Sequence, residues 1–565
     1  MNMDDSIRMY ALQNAVQFKG KCNPGALVGK IVGEFPDAKD NMQETMQAIN
    51  RVAREVNSLS LEEQKQAILD LDPEYFESKK EAKEKRKEER KELPELKNAE
   101  VGKVITRIAP EPSKYNHIGH AMSFLINYMY AKKYDGKCIL RFDDTNPEKE
   151  SQEYVDAMRE DVIDYLGIEV DKVVFASDYN DHLIKKAEEL IEKGQAYTCS
   201  CKKEKMSLGR REMKECSHRS KDVEIVKKEW DEMKSGLHEN MVLRLKIDME
   251  HKNAVMRDPV IFRIVNYPHY RHEEKYKAWP MYDFECAVLE GELGITHVNR
   301  SNEFHSRIEL QKYIRDLFNL GHVEVRQYAR VSVEGAITQG REIRGLVESG
   351  EYIGWDDPRL VTLKALKRRG IVRDAYYELA KVIGMSKSNS VLDFSVISSI
   401  NRRLLDKSAK RFFMIENPRE ITIKNAPEQE IELDLHPEVM EGGRKFKTND
   451  SFYIEKKDFD DMKNMENIRL MDCLNFIHKE NGELEFTNLS YNDFRTEGKK
   501  LIHWLPLEDN VDVEILMDDN KTKSGFAEKN IEQLEIGDVI QFERFGFCRL
   551  DSIEGGVYKF WFTHK

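Results

Sequence analysis

A multidomain α/β protein, with a parallel sheet in its first half and a β-rich last third, is what this sequence predicts from three observations. From Val101 the apolar pattern alternates between short β-branched runs and helically spaced stretches, as a parallel sheet with crossover helices requires. After about Glu416 the helical spacing gives way to short β-rich segments parted by turn residues. The chain has 565 residues, too many for one core, so several domains must share it.

The bulk properties exclude several classes. There is no run of about 18 apolar residues and the first ten positions are polar and acidic, so neither a membrane span nor a secretory leader is expected. Eight cysteines without a dense framework fit a reduced, cytoplasmic setting. A net charge of −13 argues against an indiscriminate nucleic-acid binder. It leaves room for docking one folded RNA through a local basic surface.

In chain order, residues 1–77 are mostly helical in pattern, with Leu61, Ile68 and Leu71 spaced to share a face. Residues 79–92 are almost all Lys, Arg and Glu. Ion pairs one turn apart add only about 0.2–0.5 kcal/mol each, and with no apolar face to bury this run reads as a solvated helix or linker that Pro94 ends. Residues 103–108 then read as a strand, followed by a loop rich in proline and polar residues and a helix from about Ala121 to Tyr134. His117-Ile118-Gly119-His120 falls where the loop meets the helix. A phosphate there would meet unpaired main-chain N–H groups and the positive end of the helix dipole. The two imidazoles can donate to its oxygens, and Gly119 leaves room for a base against the backbone.

Residues 138–142 form a second expected strand, ending in Asp143-Asp144-Thr145-Asn146-Pro147, with a helix expected over 150–166. Ligands of parallel sheets gather at such strand ends. Cys199 and Cys201 are then separated by fourteen residues from Cys216 and His218. Two thiolates and a thiolate–imidazole pair are the ligands of a closed tetrahedral zinc site, structural rather than catalytic because no open position or general base accompanies them. Sheet-like sequence returns over 277–285 and 294–300. Gly354 to Leu360 leads into expected helices over 362–369 and 374–383, where Lys364, Lys367, Arg368 and Arg369, with Arg402 and Arg403 beyond, make the most basic surface. The segments 420–423, 430–433, 501–505, 511–516 and 539–542, with a last strand at 558–562, suggest one or two small β-barrels.

Taken in order, Thr106-Arg107, Pro110-Glu111-Pro112, His117 to His120, Leu140 to Pro147, Pro280 to Phe284, Gly294 to His297, Gly354 to Leu360 and Gln541 to Gly546 resemble the glutamyl-tRNA synthetases of the archaeal kind, within the class I aminoacyl-tRNA synthetases. The resemblance implies a helical N-terminal region with a charged linker (1–98) and a Rossmann-like catalytic domain (99–335). A zinc-containing, acceptor-end-binding insertion interrupts the latter at about 199–264. A helical stem-contact domain (336–415) and a β-barrel anticodon-binding domain (416–565) complete the chain. It implies that glutamate attacks the α-phosphate of ATP, carried with Mg2+, and that the acyl group passes from the adenylate to the 3′ end of tRNA(Glu), with tRNA(Gln) an open second partner. Oligomeric state is left open, a monomer being favoured.

Site residues follow from the same resemblance. Glu111, His117, Gly119 and His120 would bind ATP, the histidines also stabilising charge on the phosphates. Arg107 would pair with a substrate carboxylate, Asp143 would accept the α-ammonium and Tyr282 would line the side-chain pocket. Arg300 would hold the γ-carboxylate and so favour glutamate over glutamine. One departure stands out. Counting back from Gly354-Trp355-Asp356, the lysine of the second class I signature falls on Gly340, which carries no charge. Arg341 or Arg344 are candidate substitutes, and a literal Met385-Ser386-Lys387-Ser388 lies too far along to serve. The alternatives are a glutaminyl-tRNA synthetase and a catalytically impaired paralogue that only binds tRNA.

Overall fold

The computed structural model describes residues 3–18, 20–39, 41–79, 93–328, 331–383, 390–463 and 465–565, so most of the charged run (80–92) and the stretch 385–388 lie outside the described residues. By Cα proximity the chain divides into two units, Met1–Glu92 and Leu93–Lys565.

In the first unit, helices Met3–Gln17, Gly25–Glu34, Met42–Asn57 and Leu61–Leu71 enclose a core containing Ile7, Leu12, Leu27, Ile31, Ile49, Val52 and Ile68. Ser60 starts the last of these helices through a capping box with Glu63. Of the three residues expected on its buried face only Ile68 is buried; Leu61 and Leu71 are exposed. Gln64 takes the inner position instead, its amide donating to the carbonyls of Gly20, Val56 and Leu59. A buried amide is tolerated there because these three carbonyls accept from it.

The second unit is built on parallel strands. Ile105–Ile108 pairs with Lys137–Phe142, and that strand with Lys172–Phe175. On the other side Thr296 donates its N–H to the Ile105 carbonyl (2.9 Å), leading into His297–Ser301, which pairs in parallel with Glu324–Tyr328. The strand Lys137–Phe142 is buried along all but its first residue, as expected of a strand covered on both faces. Helix Ile118–Lys133 packs Ala121, Met122 and Leu125 against this sheet and against Tyr376 and Leu379 of helix Arg373–Ile383, in one continuous core. Each such apolar side chain adds about 1.5–3 kcal/mol on burial. The expected helix over 150–166 is observed as Gln152–Arg159 continuing into a π-turn, Glu160–Tyr165. Leu93 and Leu96, expected with the N-terminal region, pack instead with Val104, Tyr130 and Tyr134.

After the third parallel strand comes an antiparallel sheet of Ala196–Cys199, Val242–Leu245, Val260–Ile264 and Ala278–Pro280. The sheet-like reading of 277–285 holds only to Pro280. Tyr282 begins helix Tyr282–Glu292, because Phe284, Ala287 and Val288 recur at helical spacing on a buried face. The β-rich last third forms two seven-stranded, half-barrel sheets with separate cores. One runs from Arg411–Phe412 to Val557–His564, and the other, from Pro418–Lys424 to Leu505–Pro506, is inserted between its strands Met414–Glu416 and Asn510–Leu516.

Not all of the expected basic surface faces outward. Arg369 is buried and donates to the carbonyls of Pro358, Phe562 and Thr563, and Arg368 pairs with Asp356 and Asp551. Both tie the helix Leu363–Arg368 to the last third of the chain. Lys364, Arg402 and Arg403 are exposed, with Lys367 half-buried.

Candidate active site

A cleft of about 350 Å³ opens at the carboxyl ends of the parallel strands. Its walls bring together residues expected from widely separated stretches, namely Arg107, Glu111, His117, Gly119, His120, Tyr282 and Arg300. Asp143 and Arg341 are not among them.

At one end the chain turns into helix Ile118–Lys133 at His117, which has extended backbone and acts as the cap. The Nδ1 of His117 accepts the N–H of Gly119 and the Nδ1 of His120 accepts the N–H of His117, both at 3.1 Å. The rings stack with centroids 3.9 Å apart. Burial, then the neighbouring His117 and Lys114, holds His120 well below the usual imidazole range, so it is neutral near pH 7. With Nδ1 accepting, a neutral ring carries its proton on Nε2. The pair therefore offers N–H donors at a helix N-terminus, an arrangement suited to phosphate oxygens.

At the other end two buried arginines, Arg107 and Arg315, share one carboxylate and a third, Arg300, is held by an amide. Arg107 donates Nε and Nη2 to Glu290 Oε1 at 3.1 and 2.9 Å, and Arg315 reaches Glu290 Oε2 at 3.3 Å. Burial opposes the charge on Arg107 and Glu290 more than restores it; burial alone would raise the Glu290 carboxyl, but Arg107 and Arg141 hold it below the ordinary range. Arg300 is 5% exposed and donates Nη1 to Gln311 Oε1 at 2.8 Å, while Gln311 donates its amide to Asp283 at 3.1 Å. Its Nε and Nη2 are buried without a hydrogen-bond partner. Two unpartnered guanidinium nitrogens in a residue that lines the cleft are a costly arrangement unless an anion arrives to meet them. Tyr282, ring to ring with Phe304 at 5.8 Å, forms the adjoining wall.

Asp143 sits behind this wall, both its oxygens held by Arg141 at 2.5 and 3.1 Å. Arg341 lies exposed in the first turn of helix Gly340–Glu348. Arg344 is engaged with the Ser113 carbonyl and the Tyr154 hydroxyl. Glu290, Gln311 and Lys114 were missed from sequence. Glu290 had a signal, since Tyr282, Cys286 and Glu290 follow one another at four-residue helical spacing; Gln311 had none.

Beside the antiparallel sheet that begins at Ala196, Cys199, Cys201, Cys216 and His218 converge, their ligand atoms all within 4.8 Å of one another. The Cys199 and Cys216 sulfurs are 3.8 Å apart, and His218 Nδ1 lies 3.4 Å from the Cys201 sulfur. A tetrahedral ion with zinc–sulfur bonds of about 2.3 Å needs sulfurs about 3.8 Å apart. His218 Nε2 meets Ser200 Oγ at 3.1 Å, which fixes the ring with Nδ1 inward.

The sequence profile described as tRNA synthetases class I (E and Q), catalytic domain, matches residues 103–407. The chain belongs to the class I (E and Q) tRNA synthetases. Two profiles for the anticodon-binding domain of the same synthetases match 409–492 and 501–551, each match taking in strands of both half-barrel sheets. This synthetase is 40% identical to the glutamate–tRNA ligase of Pyrococcus abyssi, over 98% of each chain. It is 38% identical to the ligase of that name from Pyrococcus furiosus and 36% to that of Methanocaldococcus jannaschii, over the whole of both chains in each case. Among the described residues no helix is long and apolar enough to cross a membrane.

Proposed function

We propose that this synthetase is a glutamate–tRNA ligase, activating L-glutamate with ATP and passing it to the 3′ end of tRNA(Glu). Arg300 carries the reading: it lines the cleft that also holds a phosphate-accepting helix start, and its Nε and Nη2 are buried without a hydrogen-bond partner. A carboxylate satisfies both nitrogens at once. A carboxamide offers one oxygen and brings donors that clash with the guanidinium, so glutamine is disfavoured. That weighs against the glutaminyl alternative.

In this reading the γ-carboxylate meets Arg300 beside Tyr282, and Arg107, held in place by Glu290, faces the other carboxylate. ATP, bound as its Mg2+ complex, lies along Glu111, Gly119 and the Nε2 donors of His117 and His120. The carboxylate oxygen attacks the α-phosphorus and the bond to the β-phosphate breaks, leaving pyrophosphate. Positioning and charge stabilisation supply the rate. Cys199, Cys201, Cys216 and His218 hold a structural zinc ion, the enzyme works in the cytoplasm, and tRNA(Gln) is a second acceptor to be tested beside tRNA(Glu).

Charging of purified tRNA isoacceptors with glutamate and glutamine tests the reading. Arg300→Cys should cost about 2–4 kcal/mol in kcat/KM for glutamate and shift the ratio toward glutamine. An unchanged ratio would remove Arg300 from selectivity. One equivalent of zinc is expected by elemental analysis, and none in Cys201→Ser/Cys216→Ser.

A further inference from the structure

We infer that Lys114 supplies the cation at the triphosphate that Gly340 lacks, making it a catalytic residue of the adenylation step; this rests on the reading above. Lys114 lies in the loop before the His117 cap and lines the same end of the cleft, beside His117, Gly119, His120 and Thr338. Its stem runs across Gly340. A Cβ added at 340 would come within 2.9 Å of Lys114 Cδ and 3.2 Å of its Cβ, so the lysine occupies the volume a side chain at 340 would need. Its Nζ is 3.5 Å from the Thr338 carbonyl, at the turn leading into helix Gly340–Glu348. Arg344 of that helix donates to the carbonyl of Ser113, fixing the helix against the loop next to Lys114.

The other cations make the assignment by their own engagements. Arg107 and Arg300 are the remaining cations on the described walls of the cleft, and both belong to the carboxylate end. Arg341 is exposed and does not line the cleft, and Arg344 is engaged with Ser113 and Tyr154. Lys114 also helps depress His120, so its charge is felt at the imidazole pair. As the bond from the α-phosphorus to the bridging oxygen breaks, its electron pair leaves with pyrophosphate. An ammonium beside the two Nε2 donors offsets the charge that develops there. The loss at 340 and the lysine at 114 are thus one exchange of position, in which the cation enters from the first signature's loop instead of the second's.

Glutamate-dependent ATP–pyrophosphate exchange, with tRNA(Glu) present, tests this. Lys114→Met keeps the stem and removes the charge, so folding is expected to be unchanged by thermal melting, while kcat falls about 100-fold or more and the glutamate KM stays within about twofold. Lys114→Arg should retain most of the rate. Gly340→Lys alone should be slower than wild type, because its side chain meets the Lys114 stem. The double variant Lys114→Ala/Gly340→Lys should recover at least tenfold over Lys114→Ala. Wild-type exchange by Lys114→Met, a loss confined to the glutamate KM, or no recovery in the double variant would overturn the inference alone. A wild type that exchanges pyrophosphate with no amino acid would overturn the glutamate reading and this inference with it.

Discussion

The two ends of the cleft are built on different principles. At the carboxylate end each cation is buried and held by a buried side chain, Arg107 and Arg315 by the Glu290 they share, Arg300 by Gln311 and Arg141 by Asp143. At the phosphate end the donors are held by main chain and by local sequence, with His117 and His120 capping the helix that follows them. The contrast matches what the proposed reaction asks each end to recognise. A carboxylate is small and needs a bidentate partner fixed in angle. A triphosphate is long, and its charge is met by several donors along a loop and a helix start.

The first way to break this comparison is to remove the carboxylate that anchors the rigid end. Glu290→Ala leaves Arg107 and Arg315 buried without their shared partner, and is expected to cost about 3–5 kcal/mol in urea unfolding. Glu290→Gln, which still offers one acceptor, should cost less. A loss under about 1 kcal/mol would mean that the carboxylate end is no more tightly organised than the loop opposite.

A second measurement sharpens the phosphate end. Asp161 is buried beneath the loop before His117, its Oδ2 accepting the amide of Asn116 at 3.0 Å, and burial pushes its carboxyl up to about 7. The folded protein therefore keeps a proton that the unfolded chain has released above about pH 4. Between about pH 4 and 7 the unfolded state binds fewer protons, so this group makes stability fall as pH rises, by at most about 1.4 kcal/mol per unit. Asp161→Asn should flatten that slope and gain about 2 kcal/mol between pH 5 and 7 relative to wild type. Denaturant midpoints across that range decide it, and an unchanged slope would place the titration elsewhere.

How far these ends could be read beforehand follows the same division. Local signals survive translation into structure. His117, Gly119 and His120 lie at the helix start where strand, loop and helix patterns meet, and the strand ending in Phe142 is buried as its composition requires. Partners from distant segments do not announce themselves. Nothing in the run around Gln311 marks it as the orienter of Arg300, and the contact of Lys114 with Gly340 depends on how two loops far apart in sequence are brought together. Periodicity also says which residues are apolar without saying which are covered. Leu61 and Leu71 are left exposed while Gln64 is buried, and Arg369, expected at an RNA-facing surface, is used internally because three carbonyls converge on it. Tyr282 was displaced from strand to helix because an apolar run of a few residues fits either, until Phe284, Ala287 and Val288 are seen to share one face.

The smallest expected effect separates orientation from charge at the carboxylate end. Gln311→Leu keeps Arg300 and its charge but removes the acceptor at 2.8 Å that holds Nη1, and with it the amide link to Asp283. One hydrogen bond to a buried guanidinium contributes about 1–2 kcal/mol, so the glutamate KM should rise about five- to thirtyfold, with kcat for pyrophosphate exchange little changed. The preference for glutamate over glutamine should persist, since the charge that selects it remains. Gln311→Glu should also raise the KM, by a different route, because an internal carboxylate neutralises Arg300 and competes with the substrate for it. If Leu and Glu at 311 raise the KM equally, orientation alone matters at this position; if only Glu does, the rigidity of the carboxylate end comes from packing and not from its hydrogen-bonded partner.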